Sequence, residues 1–198
     1  MYDLHGIIFA YSASPELGEL VRRRTAASIP FCGRYRLIDF ALSSMMNAGI
    51  RDVGVIMQRD YQSLLDHIGS GKNWDMSRRY GGLRMLPPFG LPEYHRGNYT
   101  GTIEALNAVA PYVRSIPQKH IALLLGSVCA NIDLTAAMRQ HVKTGAEITA
   151  ICSAGELTGS NHRYVIGDDG MVKQLLFDRT DPGEGIPSLE GYIINKDT

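Results

Sequence analysis

Ile121-Ala122-Leu123-Leu124-Leu125, closed by Gly126, is five apolar residues in a row bounded by a glycine. A run this short and this apolar is the pattern of a strand buried on both faces, as in a parallel sheet flanked by helices. Working outward, Gly6 to Ala10 reads as a first strand and Asp52 to Met57 as a second buried one. Between them, Leu37, Phe40, Ala41, Ser44 and Met45 recur at helical spacing, and Gly49 stands where a helix C-cap belongs. Tyr61 to Ile68 reads as a short helix closed by Gly69. Gly101-Thr102-Ile103 opens another, expected to reach about Arg114. Leu134 to Thr144 is a helix ended by Gly145, followed by a strand from Glu147 to Ser153. This alternation predicts an α/β fold, with a mixed, mostly parallel sheet, helices on both faces and right-handed crossovers.

After residue 153 the rhythm changes. Tyr164-Val165-Ile166 and Met171-Val172 flank Asp168-Asp169-Gly170, a hairpin signal. Val172 to Phe177 and Leu189 to Ile194 are further strands, so an antiparallel addition is expected. The long segment from Gly69 to Tyr99 contains one short strand, Leu83 to Leu86. Loops of that length usually carry function.

The 198 residues are enough for one domain with a real core, and the composition, 44% hydrophobic and 20% charged, is that of a globular protein. Twenty basic residues balance twenty acidic ones, which argues against a nucleic-acid or membrane-surface partner. No apolar run approaches the roughly 20 residues of a membrane span, and no basic segment precedes Ile7-Ile8-Phe9-Ala10 as in a signal peptide. Cys32, Cys129 and Cys152 lie far apart with no metal spacing, as unpaired cytosolic thiols do. A cytoplasmic location is expected.

In an open parallel sheet, ligands bind beyond the carboxyl ends of the strands. Three loops meet there, residues 11–17, 58–61 and 126–132. A phosphate site wants glycines whose backbone amides can close on the anion. The first loop, Tyr11-Ser12-Ala13-Ser14-Pro15-Glu16-Leu17, has no glycine before Gly18. Pro15 donates no N–H, and Glu16 repels phosphate. The third loop reads Gly126-Ser127-Val128-Cys129, where Mg²⁺ chemistry wants a carboxylate. Asp133, nearby, reads as the N-cap of the helix that follows. Arg22-Arg23-Arg24 reads either as an anion site or, by preference, as a solvated helix face, and Met45-Met46 as core or subunit contact.

Pro30-Phe31-Cys32-Gly33-Arg34-Tyr35-Arg36-Leu37-Ile38-Asp39-Phe40 resembles the P-F-G-G-K-Y-R-I-I-D-F stretch of glucose-1-phosphate adenylyltransferases. His67-Ile68-Gly69-Ser70-Gly71-Lys72-Asn73-Trp74-Asp75 resembles their H-I-G-x-G-x-x-W-D. Leu42-Ser43-Ser44 with Asn47 to Ile50, Gly81-Gly82-Leu83 with Leu86-Pro87-Pro88, and Tyr99 to Thr102 match in the same order. The resemblance implies a Rossmann-like, GT-A-like nucleotidyltransferase domain over residues 1–198. The family's C-terminal left-handed β-helix would be absent, which reads as a truncated chain. It also implies a reaction: ATP and glucose 1-phosphate give ADP-glucose and pyrophosphate for glycogen synthesis, with Mg²⁺ in the active relatives.

The departures fall on the chemistry. The family's L-A-G-G-x-G-x-R-L is here Phe9 to Leu17, with Tyr11, Ser12 and Ser14 for the glycines and Glu16 for the arginine. The lysine of K-P-A-V-P-F falls on Ala26, and the metal-binding aspartate of S-G-D-H on Ser127. The pattern resembles GlgD-type subunits, which implies a catalytically impaired, regulatory partner of a catalytic subunit in a hetero-oligomer. No catalytic residue, metal site or cofactor is expected in this chain. The matched positions give Gln58, Gly82, Gly101 and Thr102 as vestigial nucleotide-binding residues, and Tyr99, Asp178 and Arg179 as sugar-phosphate residues. A nucleotide or sugar-phosphate effector could use them. Two other readings stay open: an active transferase with substitute residues, and an effector-binding or interaction module.

Overall fold

A computed structural model describes residues 3–11, 15–79, 81–87, 99, 101–155, 162–177 and 185–198, with only the backbone for residues 15 and 16. Strand β1 (Leu4–Phe9) is followed by a 3₁₀ segment (Pro15–Val21) and a short hairpin of β2 (Pro30–Phe31) and β3 (Tyr35–Arg36). Helix α1 (Ile38–Asn47) leads to β4 (Val53–Ile56), α2 (Gln62–Ile68) and β5 (Leu83–Leu86). Then come α3 (Thr102–Ala108), α4 (Ala110–Ser115), β6 (His120–Leu125), α5 (Leu134–Thr144) and β7 (Ile148–Cys152). The hairpin of β8 (His162–Ile166) and β9 (Val172–Phe177), and the long β10 (Ile186–Asn195), end the chain.

The main sheet runs β5-β4-β1-β6-β10-β8-β9, with β7 also paired to β10. Its centre, β5-β4-β1-β6, is parallel, and everything beyond β6 is antiparallel. Successive residues of a strand point to opposite faces, and here both faces are covered. Ile8, Val53, Val55, Ala122 and Leu124 pack with Leu42 and Met45 of α1, Leu64 of α2 and Met138 of α5. Ile7, Phe9, Ile56, Ile121 and Leu123 pack with Ala105 of α3 and with Tyr112 and Val113 of α4. That is why the run at Ile121 shows no polar alternation.

The helix expected from Thr102 to Arg114 is two helices, broken at Val109. Pro111 explains the break: it has no N–H, and its ring crowds the carbonyl four residues back. The strand at Ile148 joins the antiparallel side through β10, not the parallel centre. Asp133 caps α5 by accepting the Ala136 N–H at 2.8 Å. Met45 is fully buried and Met46 packs against the same core. The run Arg22-Arg23-Arg24 lies in a turn after the 3₁₀ segment, not on a helix face, and Arg22 pairs with Glu19 at 3.0 Å.

The Pro30–Phe40 stretch folds into the small hairpin and the first turn of α1. Asp39 accepts the Arg36 backbone N–H at 3.1 Å and meets His67 Nε2 at 2.7 Å. Arg36 in turn donates to the carbonyls of Ser28 and Ser63 at 3.1 and 2.8 Å. These bonds tie α1 to α2, so the motif that carried the resemblance is chiefly a brace.

Candidate functional site

The parallel register aligns the carboxyl ends of β1, β4 and β6, with Phe9 beside both Ile56 and Leu125. Backbone bonds extend the alignment by one residue: Ala10 N–H donates to Ile56 O and Gly126 N–H to Phe9 O, at 2.9 and 2.8 Å. Tyr11, Gln58 and Ser127 therefore emerge at one end of the sheet. Gln58 reaches across and donates its side-chain amide to the Tyr99 carbonyl at 3.1 Å. Tyr99 is 7% exposed, and its ring meets Tyr11 edge-on with centroids 5.4 Å apart. Tyr11 also lies edge-on to Phe9 at 5.8 Å and hydrogen-bonds Thr102. Burial, only partly offset by the Thr102 bond and helped by smaller contributions from Tyr99, Glu104 and Glu190, pushes the Tyr11 hydroxyl up to about 12. It stays neutral at any physiological pH.

Four expected site residues, Gln58, Tyr99, Gly101 and Thr102, thus gather around Tyr11. Gly101 is extended, a conformation open to any residue, and an added Cβ there would meet nothing within 4 Å. Thr102 also lines a cavity of about 210 Å³ with His162, Tyr164, Phe177, Glu190 and Tyr192. The antiparallel extension builds this second wall. A bulge between Ser188 and Gly191 puts Glu190 at φ 50° and turns its carboxylate to His162 at 3.3 Å. The Tyr164 and Tyr192 hydroxyls are 3.0 Å apart. Burial, and secondarily Tyr164, raises the Tyr192 hydroxyl well above the ordinary tyrosine range. Sequence reasoning missed this wall. Only the strand pattern at Leu189 hinted at it, and the bulge that aims Glu190 has no sequence signal.

Gly82 is not part of this group. It precedes β5 at the amino end of the parallel strands, its N–H donates to Asp52 at 2.8 Å, and its φ is 84°. An added Cβ would collide with the Met76 carbonyl oxygen, so backbone packing accounts for this glycine. Asp178 and Arg179 lie outside the described residues, as do Ser12 and Ser14 of the first loop. Ala26 is buried, 1% exposed, in a short 3₁₀ turn.

Ser127 occupies the turn after β6, where the resemblance would place a metal-binding carboxylate. Among the described residues no three His, Cys, Asp or Glu side chains are gathered as metal ligands. A hydroxyl in place of a carboxylate is a poor donor for Mg²⁺, so the residues at this turn do not fit that ion. Among the described residues, no helix is long and apolar enough to cross a membrane. A larger groove of about 430 Å³, lined by Phe31, Tyr35 and Phe40, lies beside the β2-β3 hairpin.

A parallel sheet with its polar and aromatic side chains collected beyond the strand ends, walled by an antiparallel extension, defines a Rossmann-like nucleotide-binding class of domain. The family model for nucleotidyl transferases matches residues 6–173, and the chain belongs to that family. The glycogen biosynthesis protein GlgD of Geobacillus stearothermophilus is 37% identical over 150 residues, covering 76% of this chain and 43% of the relative. GlgD of Bacillus subtilis is 30% identical over 178 residues, 90% of this chain and 50% of the relative. A glucose-1-phosphate adenylyltransferase of Thermomicrobium roseum is 30% identical over 199 residues, 99% and 46%. The chain spans about half the length of these relatives. A Bacillus anthracis structure assigned as a glucose-1-phosphate thymidylyltransferase shares the fold. Its TM-score is 0.73 at 15% identity, covering 98% of this chain and 72% of that one.

Proposed function

We propose that this chain is the nucleotidyl transferase domain of a GlgD-type regulatory subunit, catalytically impaired, that works beside a catalytic glucose-1-phosphate adenylyltransferase in the cytoplasm. The observation that carries the reading is Tyr11. Its ring, packed on Phe9 and Tyr99 and bonded to Thr102, stands where a phosphate loop needs bare backbone amides. Glu16, Ala26 and Ser127, in place of an arginine, a lysine and a metal-binding aspartate in the resemblance, point the same way. Losing one donor of an electrostatic clamp costs about 10²–10³ in rate, and three losses together leave little transfer even if they do not add. Gln58, Tyr99 and Thr102 remain as a site for a nucleotide or sugar-phosphate effector, to which the resemblance alone would add Asp178 and Arg179. The chain itself needs no cofactor, and Mg²⁺ belongs to the catalytic partner.

The test is an assay of ADP-glucose formation by the purified chain, by a catalytic glucose-1-phosphate adenylyltransferase, and by the two mixed. The reading expects no turnover from the chain alone and a changed rate or affinity in the mixture. Turnover by the chain at ordinary enzyme rates sinks the impairment. A mixture that neither co-purifies nor differs from the partner alone sinks the regulatory role.

A further inference from the structure

The bulge in β10 stores strain at one residue. Glu190 is held at φ 50°, in the left-handed region that suits glycine and costs a glutamate energy. Its N–H donates to Ser188 Oγ at 2.9 Å, and its carboxylate meets His162 Nδ1 at 3.3 Å. In this conformation Glu190 joins the wall of the 210 Å³ cavity beside Thr102. Strained backbone gathers where a side chain must be aimed at a ligand.

The rest of the described wall carries no fixed charge. Thr102, Tyr164 and Tyr192 bring hydroxyls, Leu175 and Phe177 bring apolar surface, and no lysine or arginine is among the described lining residues. Arg163 follows His162 on β8 but points to the other face, and its guanidinium donates to the Gly185 carbonyl at 2.8 Å. His162 offsets the carboxylate only while it carries a proton. Glu190 also reaches the cluster around Tyr11. After burial, it is one of the groups that raise the hydroxyls of Tyr11 and Tyr192. One carboxylate therefore stands over both halves of the site.

A phosphate group is held by arginine, lysine or bare backbone amides. A carboxylate in their place repels it, and at a few ångströms the repulsion is worth about tenfold or more in affinity. A like charge set against the wrong ligand is one way of building specificity. A hexose phosphate carries its charge beside the only ring it can bury. A nucleotide can bury base and ribose and leave its phosphate outside. Resting on the effector reading above, we propose that Glu190 is the specificity-determining residue of that site: it turns sugar phosphates away and leaves a nucleotide as the effector.

The test titrates glucose 1-phosphate and AMP, separately, into the wild-type chain, Glu190→Gln and Glu190→Gly by calorimetry. Glutamine keeps the shape without the charge, and glycine relaxes the backbone should the glutamine variant fail to fold. The wild type should bind AMP more tightly than glucose 1-phosphate. Both variants should bind glucose 1-phosphate about tenfold or more tightly than the wild type does, with no comparable gain for AMP. Added salt should tighten glucose 1-phosphate binding in the wild type only, by screening the repulsion. An unchanged glucose 1-phosphate affinity in a folded variant overturns the proposal, and so does an equal gain for AMP. AMP binding alongside either of those results leaves the effector reading standing. No binding of AMP or glucose 1-phosphate by any of the three proteins sinks both.

Discussion

Tyr11 and Tyr99 meet edge to face, 5.4 Å between centroids and 69° between ring planes, at the carboxyl end of the parallel strands. Removing the first ring opens that end. Tyr11→Gly is expected to lose about 2 kcal/mol of stability, since it deletes a half-buried aromatic, and to raise the affinity for ATP. Chemical denaturation and calorimetric titration check the two effects. An ATP affinity equal to wild type would show that Tyr11 is not what obstructs the loop.

The same burial sets an alkaline limit. Desolvation holds the hydroxyls of both Tyr11 and Tyr112 up to about 12, above the ordinary 10. A group whose folded pKa is raised contributes stability that is complete below its unfolded pKa and lost as pH rises through the folded one. The melting temperature should therefore fall between pH 10 and 12, and Tyr112→Phe should flatten part of that fall. A thermal scan series over this window, with phenolate absorbance read in parallel, checks it.

His5 acts at the other end of the scale. Burial pushes it down to about 4 from 6.5, outweighing Asp52 and Gln118, which favour its charged form. A lowered histidine keeps its full contribution above pH 6.5 and loses it as pH falls toward 4. The loss should reach about 3 kcal/mol. His5→Gln, which cannot take up a proton, should show a shallower decline over pH 6.5 to 4 in urea titrations. Parallel curves for the two proteins would count against a neutral His5.

Gly82→Ala should cost about 2 kcal/mol or more. The residue sits at φ 84°, and the new methyl meets the Met76 carbonyl oxygen. Ligand affinity at the Tyr11 end should not change. A stable Gly82→Ala with weakened nucleotide binding would restore the role that the resemblance implied for this glycine.

The parallel centre was legible because burial on both faces leaves an unbroken apolar run, as at Ile121, and because Gly49, Gly69 and Gly145 mark where helices stop. The hairpin at Asp168 was legible from its turn residues. Pairing was not. Nothing local in Ile148–Cys152 says that its partner is β10, because strand partners are chosen by long-range packing. For the site, residue type carried the reading at Tyr11, while Gln58 and Thr102 came only from the resemblance. Glu190 needed a bulge. Gly82 matched the motif as a binding glycine, and its φ of 84° with the crowding at the Met76 carbonyl, which give it a packing role, have no signal in the sequence.

The break at Val109 has a mechanical consequence. Thr102 starts α3 at one end of the sheet, and Tyr112 in α4 braces the other. An unbroken helix between them would be a rod of roughly 20 Å, levering any displacement at one end onto the other. The joint before Pro111 interrupts that rod. Each end of the sheet can tilt its own short helix without dragging its neighbour.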